Sequence, residues 1–331
     1  MVTMQQVADA ARVSRATVSR VLANHPSIKP ETRNEVMYWV KRLGYEPNMV
    51  AQSLAGNRTN LIGVLFPDIS NPLYSDLLAV IEEEASKEGY SVLIGNCGRL
   101  KEREANLINN FKSRKVDGII LRPIGREHDR IYKTVGVPIV SLFKKFDFCS
   151  CVMVSSEEGS KQIADHFVEL GHKHIGYLGP LKASEGNDKL LGFRSALADH
   201  GIEPEVVLEC GQNETADKQK AYQIFSDYLA SGDRSVTAWY AHNDIAACDI
   251  IRVLEEHEIR VPDDVIVAGF NDTILSRKMF PTISSVGHPI HEIGRQAVGT
   301  LIRQIQMPDE ENQLIQLSPT LKVRESTFWP R

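Results

Sequence analysis

The sequence predicts a small all-α helix-turn-helix headpiece followed by an α/β body of two doubly wound lobes. Three observations lead there. Residues 3–22, TMQQVADAARVSRATVSRVL, read as two short helices joined by a tight turn. From Leu61 onward, short apolar runs alternate with amphipathic stretches of helical length. The 331 residues suffice for two or three domains, and 42% hydrophobic with 24% charged residues is an ordinary globular composition.

The headpiece comes first. Thr3 with Gln6 makes a capping box, so a helix starts near Met4 with Val7, Ala8 and Ala11 on one face. Arg12-Val13-Ser14 breaks that run, and Ser14 caps a second helix over Arg15 to Leu22. On it Val18 and Val21 share an arc with Thr17, while Arg15, Ala16, Ser19 and Arg20 occupy the opposite arc. An apolar back with a front of two arginines and two small residues suits a major groove. There Arg bonds guanine through two donors and an Ala methyl meets a thymine methyl. A surface helix carrying two arginines is the plainer alternative. Pro30 then opens a third helix whose inner face holds Val36, Val40 and Leu43. Gly44 suits a left-handed cap, and Pro47 prevents continuation.

Residues 48–58 follow as a short linker. NMVAQSLAG (48–56) is helix-compatible, but a lone helix of that length is marginal in water. The body spans 59–331. Strands are expected at 61–66, 91–95, 118–122, 138–142, 151–155, 174–179, 206–209, 237–241, 265–269 and 320–324. Helices are expected near 73–88, 102–114, 157–170, 187–200, 215–230 and 243–257. Buried runs alternating with helices imply parallel sheets covered on both faces. Ligands in such sheets bind at the carboxyl ends of strands, and two facing lobes put those ends around one cleft. The loops there supply Asp68, Leu73, Tyr74, Glu185, Lys189, Asn243, Asp244, Asn271 and Asp272, a plausible polyol pocket.

Charge is unevenly distributed. Residues 1–58 hold eight Lys/Arg against four acids, leaving +4, while 30 basic and 39 acidic residues leave −9 on the remainder. A basic head on an acidic body turns the head towards a polyanion. The five cysteines are odd in number and contain no Cys-x-x-Cys. Cys149-Ser150-Cys151 could hold a metal or form a strained bridge; a reduced pair is expected, since no second pair is at hand. The first helix is too polar for a signal peptide and no apolar run is long enough to span a membrane, so a cytoplasmic location and no membrane partner are expected. No G-x-S-x-G, P-loop, G-x-G-x-x-G or H-E-x-x-H occurs, and an enzyme is not expected. His172-Lys173-His174 has metal-like spacing but leads directly into a strand. No cofactor or metal is implied.

VADAARVSRATVSRVL, ETR, LGYEPN and AQSLAG resemble the head of a LacI/GalR-family transcription regulator. NRTNLIGVLFPDISNPLYSDLL, KVDGIILRP, ELGHKHIGYLGP, LLGFRSAL and VPDDVIVAGFND continue that resemblance over nearly the whole chain. It implies a headpiece (1–47), a hinge helix and linker (48–58) and a periplasmic-binding-protein-like (type I) core. The core would comprise lobe 1 at about 61–159 and 288–321 and lobe 2 at about 160–287 and 322–331. Its three crossovers would lie near 158–161, 286–289 and 321–324, with the helix at 289–306 in the first lobe.

The resemblance further implies a repressor that grips a palindromic operator as a homodimer. Arg15, Ala16 and Arg20 would read bases, and Ser14 and Thr17 would fix register on phosphates. Thr3, Ser19, Asn24 and Asn48 complete the DNA-facing set of the head. Leu54 matches the family's minor-groove wedge, Ala51 and Ala55 its small positions, and Arg58 can reach phosphate. A small-molecule effector would bind between the lobes. Four positions depart from the family's sugar binders: Lys189 stands for an Arg, Asn271 for an Asp, Phe143 (before Lys144) for an Asp and His288 for a Gln. Asn213 completes the effector set. A less acidic pocket implies an acidic ligand, such as a sugar acid or phosphate ester. Control by a partner protein, or a solute-binding receptor without a DNA role, are the alternatives. The chain carries no leucine heptad tail after its last expected strand, so a dimer rather than a tetramer is expected.

Overall fold

The structure is a computed structural model. It describes residues 2–22, 25–45, 58–125, 129–181, 189–210 and 220–328. The chain forms two compact units, 1–59 and 60–331.

The first unit holds α1 (Met4–Ala10), α2 (Arg15–Leu22) and α3 (Pro30–Leu43). Thr3 Oγ1 accepts from the Gln6 amide, and Gln6 Oε1 accepts from the Thr3 amide at 2.8 Å, so the expected capping box is present. Arg12 takes a left-handed φ of 53° in the turn. Ser14 Oγ accepts from the Thr17 amide at 3.1 Å and starts α2. Gly44 closes α3 at φ 64°, a conformation that a Cβ disfavours. Val7, Ala8, Ala11, Val18, Val21, Val36 and Tyr45 form one small core. Arg33 of α3 donates to the carbonyls of Val21 and His25, which pins the far end of α2.

The second unit contains two six-stranded sheets. The first runs β2 (Ser91–Asn96), β1 (Leu61–Phe66), β3 (Gly118–Leu121), β4 (Ile139–Leu142), β5 (Ser150–Val154) and β11 (Leu314–Leu317), all parallel. The second runs β7 (Val206–Glu209), β6 (Ile175–Gly179), β8 (Ala238–Ala241), β9 (Ile266–Asn271), β10 (Ser284–Gly287) and β12 (Thr320–Lys322). Among the described residues, only β12, antiparallel to β10, breaks the parallel order. Helices α4 (Pro72–Lys87), α5 (Lys101–Ser113) and α6 (Asp129–Thr134) accompany the first sheet. α7 (Ser156–Glu169), α8 (Lys189–Asp199), α9 (Lys220–Ala230), α10 (Asp244–Glu256) and α11 (Ile274–Lys278) accompany the second. α12 (Ile290–Gln306) returns to the first lobe, where Ile293, Ala297, Leu301 and Ile305 pack with α4 and the sheet. Each sheet is covered on both faces, as the apolar strand runs implied.

The chain changes lobe at three places. The first change falls at Ser155. Ser155 follows β5 and caps α7 by accepting from the Glu158 amide at 3.1 Å. Already at Gly159, α7 lies against Phe270 and Val286 of the second lobe, so close that a Cβ there would clash. The second change falls at 288–289, between β10 and α12. The third falls at 318–319, because β11 adds itself beside β5 before β12 pairs with β10. Gln162 brackets that passage, donating to the Pro319 carbonyl and accepting from the Leu321 amide. Strands β10 and β11 were not expected. The buried residues of β10 include serines, and β11 is short and only half-buried, so neither reads as an apolar run.

Candidate functional site

Two separate regions carry the candidate residues. In the head, Val18 and Val21 face the core, and Arg15, Ala16, Ser19 and Arg20 are all exposed on the other side of α2. Thr17 is half-buried, its hydroxyl 2.9 Å from that of Ser14. Thr3 and Ser14 are engaged as helix caps, which satisfies amides at the amino termini of α1 and α2. The arrangement presents two guanidinium groups and two small side chains on one rigid helix. Arg58 is exposed. Asn24, Asn48, Ala51, Leu54 and Ala55, including the whole expected hinge helix, lie outside the described residues.

In the body, the carboxyl ends of the strands bring a cluster together. Phe143 follows β4 with φ 57°, His288 sits at the second lobe change, and Asn271 ends β9 with φ 99°. Their side chains meet. His288 Nε2 is 3.2 Å from Asn271 Oδ1, and the His288 ring lies 5.2 Å from Phe143 and 5.5 Å from Phe270. Lys189 opens α8 and is buried; its Nζ donates to the His242 carbonyl at 2.7 Å and lies 3.9 Å above the Phe270 ring. Burial, and then the Lys189 charge, push the His288 imidazole down to about 3, so it is neutral at pH 7.

On the first lobe, Leu73 and Tyr74 start α4 and are buried with Phe66 and Phe143, with Tyr74 stacked on Phe66 at 5.2 Å. Asp68, also buried, accepts from the Ser70 amide and hydroxyl through Oδ1; its Oδ2 has no partner among the described residues. Lys144 parts company with Phe143: its Nζ lies 5.9 Å from the Phe146 ring, which belongs to the core on the other face of the sheet. Glu185 and Asn213 lie outside the described residues.

Several polar candidates prove to hold the scaffold. Asn243 caps α10, accepting from the Ala246 amide at 2.8 Å, with its Nδ2 3.3 Å from His242 Nε2. Asp244 points inward and accepts from the Thr273 amide and hydroxyl and from the Ser285 hydroxyl. Burial outweighs those bonds and raises its carboxyl to about 6. Asp272 pairs with Arg324 at 2.6 Å and accepts from Ser276 Oγ. Sequence reasoning missed Phe270 and His242. Phe270 closes the apolar run of β9 and His242 directly follows that of β8, so their place at a strand end is local, but what they face is not. Among the described residues no group of three or more His, Cys, Asp or Glu is placed to hold a metal, and no helix is long and apolar enough to cross a membrane.

Comparison with known proteins places these two regions in one family. Residues 3–48 match the bacterial regulatory proteins of the lacI family, and residues 164–327 match the periplasmic binding protein-like domain. The chain is 30% identical to catabolite control protein A of Priestia megaterium, covering 98% of this chain and 99% of that protein. It is 32% identical to the HTH-type transcriptional regulator DegA of Bacillus subtilis (strain 168), covering 98% of each. The crystal structure of the lac repressor dimer bound to operator and the anti-inducer ONPF superposes with a TM-score of 0.84, at 28% identity over 99% of both chains. A helix-turn-helix head and a two-lobed α/β body, matched end to end, make this chain a member of the LacI family of DNA-binding transcriptional regulators.

Proposed function

We propose that the protein is a cytoplasmic repressor that binds a palindromic operator as a homodimer and is controlled by a small metabolite held between its two lobes. The observation that carries the DNA role is the exposed Arg15, Ala16, Ser19 and Arg20 face, backed by buried Val18 and Val21. Arg15, Ala16 and Arg20 read base edges, while Ser14, Thr17 and neighbouring amides set the register on phosphates. Leu54 acts as the wedge at the operator centre, with Ala51 and Ala55 permitting close approach. A gel shift against palindromes selected from random duplexes tests this. Failure to bind any palindrome at low salt, whatever compound is added, overturns it.

The effector reading rests on the cluster of Phe143, His288, Asn271 and Lys189. It spans the first lobe, a crossover and the second lobe, so a ligand there is positioned to change how far the lobes close. Asp68 offers a carboxylate to ligand hydroxyls and Lys189 a cation to an acid group. A sugar acid or sugar phosphate suits that pair. Calorimetric titration of acidic and neutral sugars decides between them: tight binding by neutral sugars alone refutes the acidic ligand.

A further inference from the structure

Five cysteines are present, and the structure sets two of them apart. Cys149 and Cys151 flank Ser150 at the amino end of β5, the end of the sheet opposite Phe143 and the cleft. Both are buried. The Cys151 sulfur sits in a backbone ring: the Phe146 amide donates to it at 3.3 Å, and the Cys149 and Phe146 carbonyls lie 3.4 and 3.6 Å away. The two side chains are hydrogen-bonded to one another, and Lys145 adds positive charge nearby. Cys149 also forms part of the wall of a cavity of about 410 Å³, lined further by Tyr132, Lys133, Pro138, Phe148 and Gln304. A small polar molecule therefore has a way in to this pair.

Two of the other thiols, Cys97 and Cys248, differ in kind. Burial raises Cys97 to about 11 and Cys248 to about 12, which keeps both as inert thiols near neutral pH. At Cys151 the bond from Cys149, then the Phe146 amide, outweigh burial and lower the thiol below its ordinary value.

We propose that Cys149 and Cys151 form a peroxide-reactive dithiol that closes to an intramolecular disulfide. Hydrogen peroxide enters from the cavity, and the Cys149 sulfur attacks one of its oxygens while the Cys149 proton passes to the Cys151 thiolate. The O–O bond breaks and hydroxide leaves, giving a sulfenic acid on Cys149. Cys151 then gives its proton to that hydroxide and attacks the sulfenic sulfur, expelling a second hydroxide. Overall one peroxide is reduced, two sulfurs are oxidised, and one water and one hydroxide are released.

Closure has a structural consequence because of the residue between them. Ser150 Oγ accepts from Gln304 Nε2 at the end of α12 and from the Gln313 amide leading into β11. The Cys151 amide donates back to the Gln313 carbonyl at 2.8 Å. Residues two apart in an extended strand are about 6.5–7 Å apart, at the upper limit of what a disulfide spans. The bridge therefore bends the start of β5 and loosens Ser150 from both partners.

One equivalent of hydrogen peroxide on the reduced full-length protein at pH 7, followed by mass spectrometry, tests this. The tryptic fragment 146–161 contains Cys149 and Cys151 and no other cysteine. It should emerge two hydrogens lighter, about tenfold or more ahead of any oxidation of Cys248. In urea that preference should vanish. In Cys151→Ser, which lacks both the sulfur that takes up the Cys149 proton and the resolving thiol, no disulfide should form and sulfenic acid on Cys149, read as its dimedone adduct, should appear about tenfold more slowly. In the oxidised protein the Gln313 amide should exchange its hydrogen faster. Oxidation of Cys97, Cys210 or Cys248 before the pair, or a fragment that stays reduced while the chain consumes peroxide, overturns the proposal.

Discussion

His288 Nε2 lies 3.2 Å from Oδ1 of Asn271. That single contact ties the second lobe change to the end of β9, and Phe143 leans on the same ring from the first lobe. Three chain segments thus meet on one imidazole.

The protonation of that imidazole is the first consequence. Its folded pKa is depressed, by burial and by Lys189, from the ordinary 6.5 to about 3. The neutral ring favours the folded state above about pH 6.5, and this contribution is lost as pH falls from there towards 3. The loss is at most about 1.4 kcal/mol per pH unit. His288→Gln should remove that slope. Urea unfolding of both proteins at pH 7 and pH 5 measures it as a difference. Asp244, whose raised carboxyl works in the opposite sense between about pH 6 and its ordinary 3.8, cancels in the comparison. Equal slopes for both proteins would sink the assignment.

Asp244 itself depends on Ser285. The carboxylate is buried, and the Ser285 hydroxyl is the hydrogen-bond donor to its Oδ1. Ser285→Ala should cost about 1–3 kcal/mol by leaving that oxygen unsatisfied. It should also push the Asp244 carboxyl higher still. Thermal unfolding at pH 7 and at pH 5 checks both points: the variant's deficit should shrink at the lower pH, where Asp244 takes up a proton.

On α2, Arg15→Ala should relax preference at one base pair of each half-site, costing about 1–3 kcal/mol against the preferred duplex. Binding to a panel of single-base operator variants reads this out. A uniform loss across the panel would reassign Arg15 to phosphate.

The packing of α12 on α4 offers a test of the first lobe. A Cβ added at Gly294 would stand 2.5 Å from Val80 Cγ1. Gly294→Ala should destabilise by about 1–3 kcal/mol through overpacking. Val80→Ala in the same chain should recover part of that, since the two changes share one contact. Denaturant midpoints for the single and double variants measure the coupling; strict additivity would contradict the contact.

How much of this was legible in the chain depends on the range of the interactions. The capping box of Thr3 and Gln6, the Ser14 cap, Pro30 and Gly44 all act within a few residues, so the three head helices could be read directly. Buried apolar runs announced the parallel strands, because both faces of each sheet are covered. Where the chain passes between lobes depends on what α7 packs against, and on β11 joining β5 from 163 residues away.

The candidate cleft divides in the same way. The sequence by itself determined which polar and aromatic residues stand at strand ends. Only the tertiary structure decided which of them turn to one another and which turn inward. Asn243 and Asp244 are neighbours, yet one caps its own helix and the other reaches Thr273 and Ser285, 29 and 41 residues on. A carboxylate in water is satisfied anywhere, but a buried one must find donors, and their positions are set by the packing of distant strands.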